Sequence, residues 1–296
     1  MRFAAVDIGS NAVRLLFCEV YRTETFPQLK KISLVRLPIR LGEDVFTSGK
    51  ISELNINKLL KTLIAFKHLT EVYGVLDYEI CATSAMREAT NSNEIKTLIK
   101  QETDLSIQII EGNVEADILF ETHIAEKIDQ NGTYLYMDVG GGSTELTLFS
   151  KGNKIKTHSF RIGTLRLKND MVTKATWQEL KDWVGQIKTD YKIDMIIGTG
   201  GNINSIYTLC GLRNYKLLKY AKLKEMDAFL NEHTLEERKL KLGLRPDRAD
   251  VITHASKIYL TVMKKAGVKD MFVPKVGLAD GIINQLYNKH ISKIMQ

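Results

Sequence analysis

Residues Tyr136–Phe149 read YMDVGGGSTELTLF. A strand-like run from Tyr134 to Met137 ends on Asp138. Three glycines follow, then Ser143, Thr144 and Glu145, and apolar alternation resumes at Leu146. Glycine loses more backbone freedom on folding than any other residue, so three together between two strands need a reason. A glycine-rich turn between two alternating runs signals a β-hairpin. The layout recurs near the N-terminus, where FAAVDIGSNAVRLLF from Phe3 matches LYMDVGGGSTELTLF from Leu135. Asp7 aligns with Asp138, Gly9 with Gly140, Asn11 with Gly142 and Leu15 with Leu146. One copy is a weak signal. Two copies in the same order predict two similarly built halves.

Outward from the hairpins, both halves continue alike, and an α/β fold follows. The first adds a third strand over 31–40 and a helix from about Ser52 that Gly74 stops. Leu54, Leu59, Leu60, Leu63, Ile64, Phe66 and Leu69 are expected to form its buried face. A strand over 78–82, a short helix near 93–103, a strand over 106–110 and a helix over 113–128 complete that half. DQNGT at 129–133 is rich in turn formers and marks the boundary, giving domains over 1–130 and 131–296. The second half has strands over 133–139, 143–149 and 154–160, then helix, a strand over 193–198, more helices, and a strand over 271–276. A last helix closes the chain and is free to pack back on the first domain.

Composition bounds the function. At 44% hydrophobic and 26% charged, the 296 residues can bury a sizeable core. No apolar run approaches the ~20 residues that span a bilayer, and MRFAAVD meets an Asp too early for a signal peptide. Cys18, Cys81 and Cys210 lack C-x-x-C spacing, which suits buried thiols in a reducing compartment, so a cytoplasmic protein is expected. The net charge of +7 favours an anionic partner without distinguishing nucleic acid, polyphosphate or nucleotide. No P-loop pattern occurs. GGGSTE misses the nucleophile elbow G-x-S-x-G because Glu145 stands where the last glycine should be. GTGGNI from Gly198 lacks the third glycine of a dinucleotide fingerprint, yet it follows an apolar strand and opens a helix, where free amides can hold a phosphate or a nucleotide.

The two hairpin tips offer chemistry of their own. Glycine lets backbone N–H groups face into a concave nest that binds phosphate oxygens. Ser10 and Asn11 in one tip, and Ser143 and Thr144 in the other, add side-chain donors. Asp7 and Asp138 end their strands where Mg²⁺ can bridge carboxylate and phosphate. The plainer alternative is two tight turns that the aspartates merely complete. CATSAMREATN (residues 81–91) carries Arg87, a bidentate phosphate clamp or else a surface arginine beside a helix cap. Glu111 and Glu115 stand at a helix start, where carboxylates are common without any catalytic role.

AAVDIGSNAVRLL, ATSAMREATN, EGNVEADILF, MDVGGGSTEL, FRIGTLRL and GTGGNI, in this order, resemble the exopolyphosphatase and guanosine pentaphosphate phosphohydrolase family. The resemblance runs from about Phe3 to Gly281, with RPDRADVI and GLADG as further segments. It implies the actin, Hsp70 and sugar-kinase superfamily: two ribonuclease-H-like domains facing across a cleft. It implies Mg²⁺, with Mn²⁺ as a substitute, and hydrolysis of terminal phosphate from polyphosphate or of guanosine pentaphosphate. Glu115 takes the catalytic position, with Glu111 off the site. Asp138 and Glu145 take the metal positions, with Asp7 as the first-domain counterpart. Ser10, Asn11, Arg87, Gly141, Gly142, Ser143 and Thr144 take the phosphate contacts. No specific nucleic acid and no membrane is implied as a partner, and a homodimer is left open. The chain departs from the family's pattern at Ala12, Val114, Asp117 and Ala279. A phosphotransferase of the same superfamily, or a sensor that binds without cleaving, remain the alternatives.

Overall fold

The computed structural model describes residues 1–23, 27–120, 129 and 131–294. Two compact units divide the chain, one of residues 1–122 with 277–296 and one of residues 123–276. In the first, β1 (Arg2–Ile8), β2 (Val13–Tyr21) and β3 (Gln28–Leu37) form an antiparallel meander. After α1 (Leu41–Ser48) and α2 (Glu53–Tyr73), β4 (Asp77–Ala82) pairs parallel with β1. Then α3 (Ser84–Glu88) and α4 (Ser92–Thr103) lead to β5 (Gln108–Ile109) and α5 (Gly112–Phe120), for a sheet order β3-β2-β1-β4-β5. β1 is apolar on both faces because the central strand is covered on both sides.

Local signals set the long helix. The Ser52 hydroxyl accepts from the Asn55 amide, and Gly74 leaves the helix in the left-handed region at φ 58°. Its buried face is narrower than expected: Leu59, Leu63 and Phe66 are buried, whereas Leu54 and Ile64 are exposed. At about 100° per residue both lie roughly 140° from Leu59, on the opposite side. The chain enters α1, an unexpected helix, through Arg40 at φ 62°.

The second unit repeats the plan. β6 (Thr133–Val139), β7 (Thr144–Ser150) and β8 (Asn153–Phe160) form the meander. α6 (Thr164–Lys168) and α7 (Lys174–Asp190) precede β9 (Met195–Thr199), which pairs parallel with β6. α8 (Gly201–Leu209), β10 (Leu218–Lys219), α9 (Tyr220–Glu232), α10 (Leu235–Leu240), α11 (Pro246–Ala249), α12 (Ile252–Ala266) and β11 (Asp270–Phe272) follow. The order is β10-β11-β9-β6-β7-β8, the first unit's path with one strand added at the edge. Both second strands carry an irregularity against the third, at Phe17/Cys18 and at Leu148/Phe149. These positions stand in the same alignment as Asp7 and Asp138. The duplication therefore extends to a β-bulge, which no composition signal marks.

The chain closes with α13 (Leu278–Ile294), whose Ile282, Ile283 and Leu286 share one core with Phe3 and Ala5 of β1. Gly281 is required there, since a Cβ would lie 2.2 Å from the Ile118 carbonyl oxygen. Two expected strands are shorter than the apolar runs suggest. Only Gln108–Ile109 and Asp270–Phe272 pair, because pairing, and not hydrophobicity, defines a strand. Of the helix expected over 113–128, residues 121–128 lie outside those described. No helix among the described residues is long and apolar enough to cross a membrane.

Candidate active site

Sheet register decides what surrounds each hairpin aspartate. Asp7 stands opposite Arg14 on β2 and beside Cys81 on β4. Arg14 Nη1 donates to Asp7 Oδ2 at 2.6 Å, and Asp7 is almost fully buried. Asp7, expected beside a metal, thus carries its own counter-charge. The turn is closed by the Gly9 amide on the Ala12 carbonyl. The amides of Arg40 and Gly42 bond the carbonyls of Asn11 and Ser10, so α1 props the tip from behind. The Ser10 and Ser84 hydroxyls lie 2.7 Å apart, both buried.

Arg87 is held differently from a free clamp. Its Nη1 donates to the Ile110 carbonyl at 2.7 Å, and its Nε lies 3.8 Å from a Glu111 carboxylate oxygen. Glu111, expected off the site, therefore pairs with one of the site's arginines. Glu115 lies in the first turn of α5 and is buried. The Cys81 thiol is raised well above its usual range, first by burial, then by Glu79, Asp7 and Glu115. The carboxylates of Asp7 and Glu115 thus share one neighbourhood around Cys81.

In the second unit Asp138 stands opposite Glu145 on β7 and beside Thr199 on β9. Directly opposed like charges destabilise a strand pair, and their β-carbons are only about 4.5–5.5 Å apart. Glu145 Oε1 accepts from the Ser143 hydroxyl at 2.6 Å and the Ser159 hydroxyl at 2.9 Å. Asp138 Oδ1 accepts from the Thr199 hydroxyl at 2.8 Å. Hydroxyls orient carboxylates without neutralising them. The set fits a hard divalent cation: all-oxygen donors, two carboxylates, one of them buried. Among the described residues no cluster of three or more acidic, histidine or cysteine ligands occurs, so phosphate and water would complete the shell.

The glycine loop is held by its carbonyls. Thr164 N–H bonds the Gly140 carbonyl, Leu165 N–H that of Gly141, and Arg166 Nε that of Gly142. The N–H groups of Gly141 and Gly142, both buried residues, have no partner among the described residues. Such amides are donors awaiting an anion. Gly163 permits the arrangement: a Cβ there would lie 2.3–2.4 Å from the backbone of Gly141 and Gly142. Thr144, expected to touch phosphate, is fully buried and donates its hydroxyl to the Ile162 carbonyl. It anchors the loop instead. The Ser143 hydroxyl is likewise committed, to Glu145.

Sequence reasoning missed Arg14, Ser159, Thr199, Gly163 and Arg166 as parts of these sites. Arg14 and Glu145 occupy one position of the repeat, which was signal enough to notice the charge reversal. Thr199 lies within GTGGNI, whose second and third glycines are now accounted for. Gly200 has φ 104° and would bring a Cβ to 3.1 Å from Asp138 Oδ1, and a Cβ on Gly201 would strike the Arg248 guanidinium. Tyr259 donates its hydroxyl to the Thr199 carbonyl, and burial followed by the Asp138 charge pushes its phenol far above the usual range.

Known proteins are similar to this chain. Exopolyphosphatase 1 of Mycobacterium leprae is 24% identical over 303 residues, covering 96% of this chain and 88% of that protein. An exopolyphosphatase from Cytophaga hutchinsonii superposes with a TM-score of 0.84 at 21% identity, covering 98% of each chain. The Aquifex aeolicus member of the Ppx/GppA family superposes with a TM-score of 0.78 at 23% identity, again over 98% of each chain. The Ppx/GppA phosphatase family model matches residues 22–290, and with the two aspartate hairpins and the glycine loop in place, the chain belongs to that family.

Proposed function

We propose that the chain is a divalent-metal-dependent phosphohydrolase that releases terminal phosphate from inorganic polyphosphate. The observation that carries this reading is the pair of amides at Gly141 and Gly142 that have no partner among the described residues, next in sequence to a strand pair that opposes two carboxylates. Amides receive phosphate oxygens, and Asp138 with Glu145 would hold the cation, Mg²⁺ or Mn²⁺. A bound cation supplies positive charge that polarises the terminal phosphoryl group. Glu115 accepts the proton of the attacking water as the phosphoanhydride bond breaks, and the shortened chain leaves with the bridging oxygen. The Ser10–Asn11 tip and Arg87 bind phosphate oxygens, and Arg14 keeps Asp7 from repelling them. The net charge of +7 favours such a polyanion. Three free thiols suit a cytoplasmic setting.

Guanosine pentaphosphate presents the same terminal phosphoanhydride, so it enters as an arm of the test. Phosphate release is measured with polyphosphate, guanosine pentaphosphate and ATP, each with Mg²⁺ and with a chelator. Release from polyphosphate that the chelator stops is expected. Release from guanosine pentaphosphate alone would move the substrate to the alarmone. Transfer from ATP to an acceptor without phosphate release would make the protein a kinase, and binding without release a sensor.

A further inference from the structure

We infer that Tyr136 and Thr199 are positioning residues, a two-hydroxyl relay that fixes Asp138 in the orientation that receives the divalent cation. The inference rests on the reading of Asp138 as a metal ligand and concerns what makes it one. Tyr136 lies two residues before Asp138 on β6, hence on the same face of the sheet. Its hydroxyl is 2.7 Å from the Thr199 hydroxyl, which donates to Asp138 Oδ1 at 2.8 Å. A carboxylate only accepts, and a threonine hydroxyl carries one hydrogen. The direction is therefore fixed: Tyr136 donates to Thr199, and Thr199 donates to Asp138.

The relay is held rigidly. Tyr136 is fully buried and Thr199 nearly so. The Thr199 carbonyl is bonded by the Tyr259 hydroxyl, and Gly200 lets the following turn press against Asp138. The relay is also no requirement of the fold. In the first unit the aligned positions are Ala5 and Cys81, both buried, and there the aspartate is bonded by Arg14 instead. Only where the aspartate lacks that arginine does the sheet bury two hydroxyls to orient it. Neutral donors suit this role, because they fix a carboxylate while leaving its charge for a metal.

The test is titration of the 296-residue chain with Mn²⁺ alone, read by the electron paramagnetic resonance of free Mn²⁺, with thermal melting to establish folding. Thr199→Val is expected to weaken Mn²⁺ binding by roughly 10–100-fold, the range for outer hydrogen-bond partners of metal ligands. Thr199→Ser should restore it. Tyr136→Phe removes one oxygen and opens no cavity, and it should weaken binding about two- to tenfold. It decides the matter if Thr199→Val fails to fold. Wild-type affinity in folded Thr199→Val or in Tyr136→Phe, with binding abolished by Asp138→Asn, would overturn the relay and spare the metal site. Wild-type protein that binds no Mn²⁺, or that binds equally after Asp138→Asn, would overturn both.

Discussion

Asp7 and Asp138 end equivalent strands of two equivalent sheets, yet they are dressed in opposite ways. Across the hairpin Asp7 meets Arg14, whereas Asp138 meets Glu145. On the other side Asp7 meets Cys81, whereas Asp138 meets Thr199. The first aspartate is neutralised inside the protein, while the second stands opposite another acid and is oriented by hydroxyls. A duplicated scaffold thus places residues of opposite charge across from its two aspartates. One register position, occupied by Arg14 or Glu145, separates the two.

The comparison breaks most visibly in turnover. If the first unit contributes a proton acceptor and not a metal ligand, Glu115→Gln should slow phosphate release by about 10²–10⁴-fold. Binding of polyphosphate, followed by calorimetry, should persist, and the exposed Glu102→Gln should serve as a silent control. Loss of binding in Glu115→Gln would show that the carboxylate holds ligand or structure instead.

Metal titrations come next. Asp138→Asn should raise the Mg²⁺ concentration for half-maximal activity by at least about tenfold, since even outer partners of metal ligands cost that much. Asp7→Asn should leave this concentration unchanged. Equal shifts in both would erase the distinction between the hairpins.

The smaller effects concern stability, and they should differ in sign. Arg14→Met leaves the buried Asp7 carboxylate without its cation. A fully buried pair would lose about 3–5 kcal/mol, and the partial exposure of Arg14 reduces this to roughly 1–3 kcal/mol in urea unfolding. Glu145→Gln, measured without metal, should instead stabilise by about 0.2–1 kcal/mol, because it removes a like-charge pair across the strands. A destabilised Glu145→Gln would mean that its two hydroxyl bonds outweigh the repulsion.

Much of this was legible in the sequence because it is local. Glycine turns after an aspartate announce hairpins, their repetition announces duplication, and Ser52 and Gly74 bracket α2 by capping chemistry alone. What stayed hidden depends on contacts between distant strands. Thr199 reaches Asp138 across a parallel pairing 61 residues apart, and no spacing rule reports that. Thr144 carried the right chemistry for a phosphate contact, but the Ile162 carbonyl claims its hydroxyl. Leu54 and Ile64 misled for a different reason: apolar residues can occupy both sides of a helix, and only one side is buried.

The return of α13 to the first unit bears on how the protein is made. The core that holds Phe3 and Ala5 also needs Ile282, Ile283 and Leu286. Residues 123–276 lie between, and they form a unit contiguous in sequence. On a translating ribosome the second unit can therefore complete itself first, while the first unit's central strand, already synthesised, stays uncovered. At about 5–20 residues per second the delay is roughly 8–30 s. Through that interval β1, apolar on both faces, is the segment a chaperone would have reason to shield.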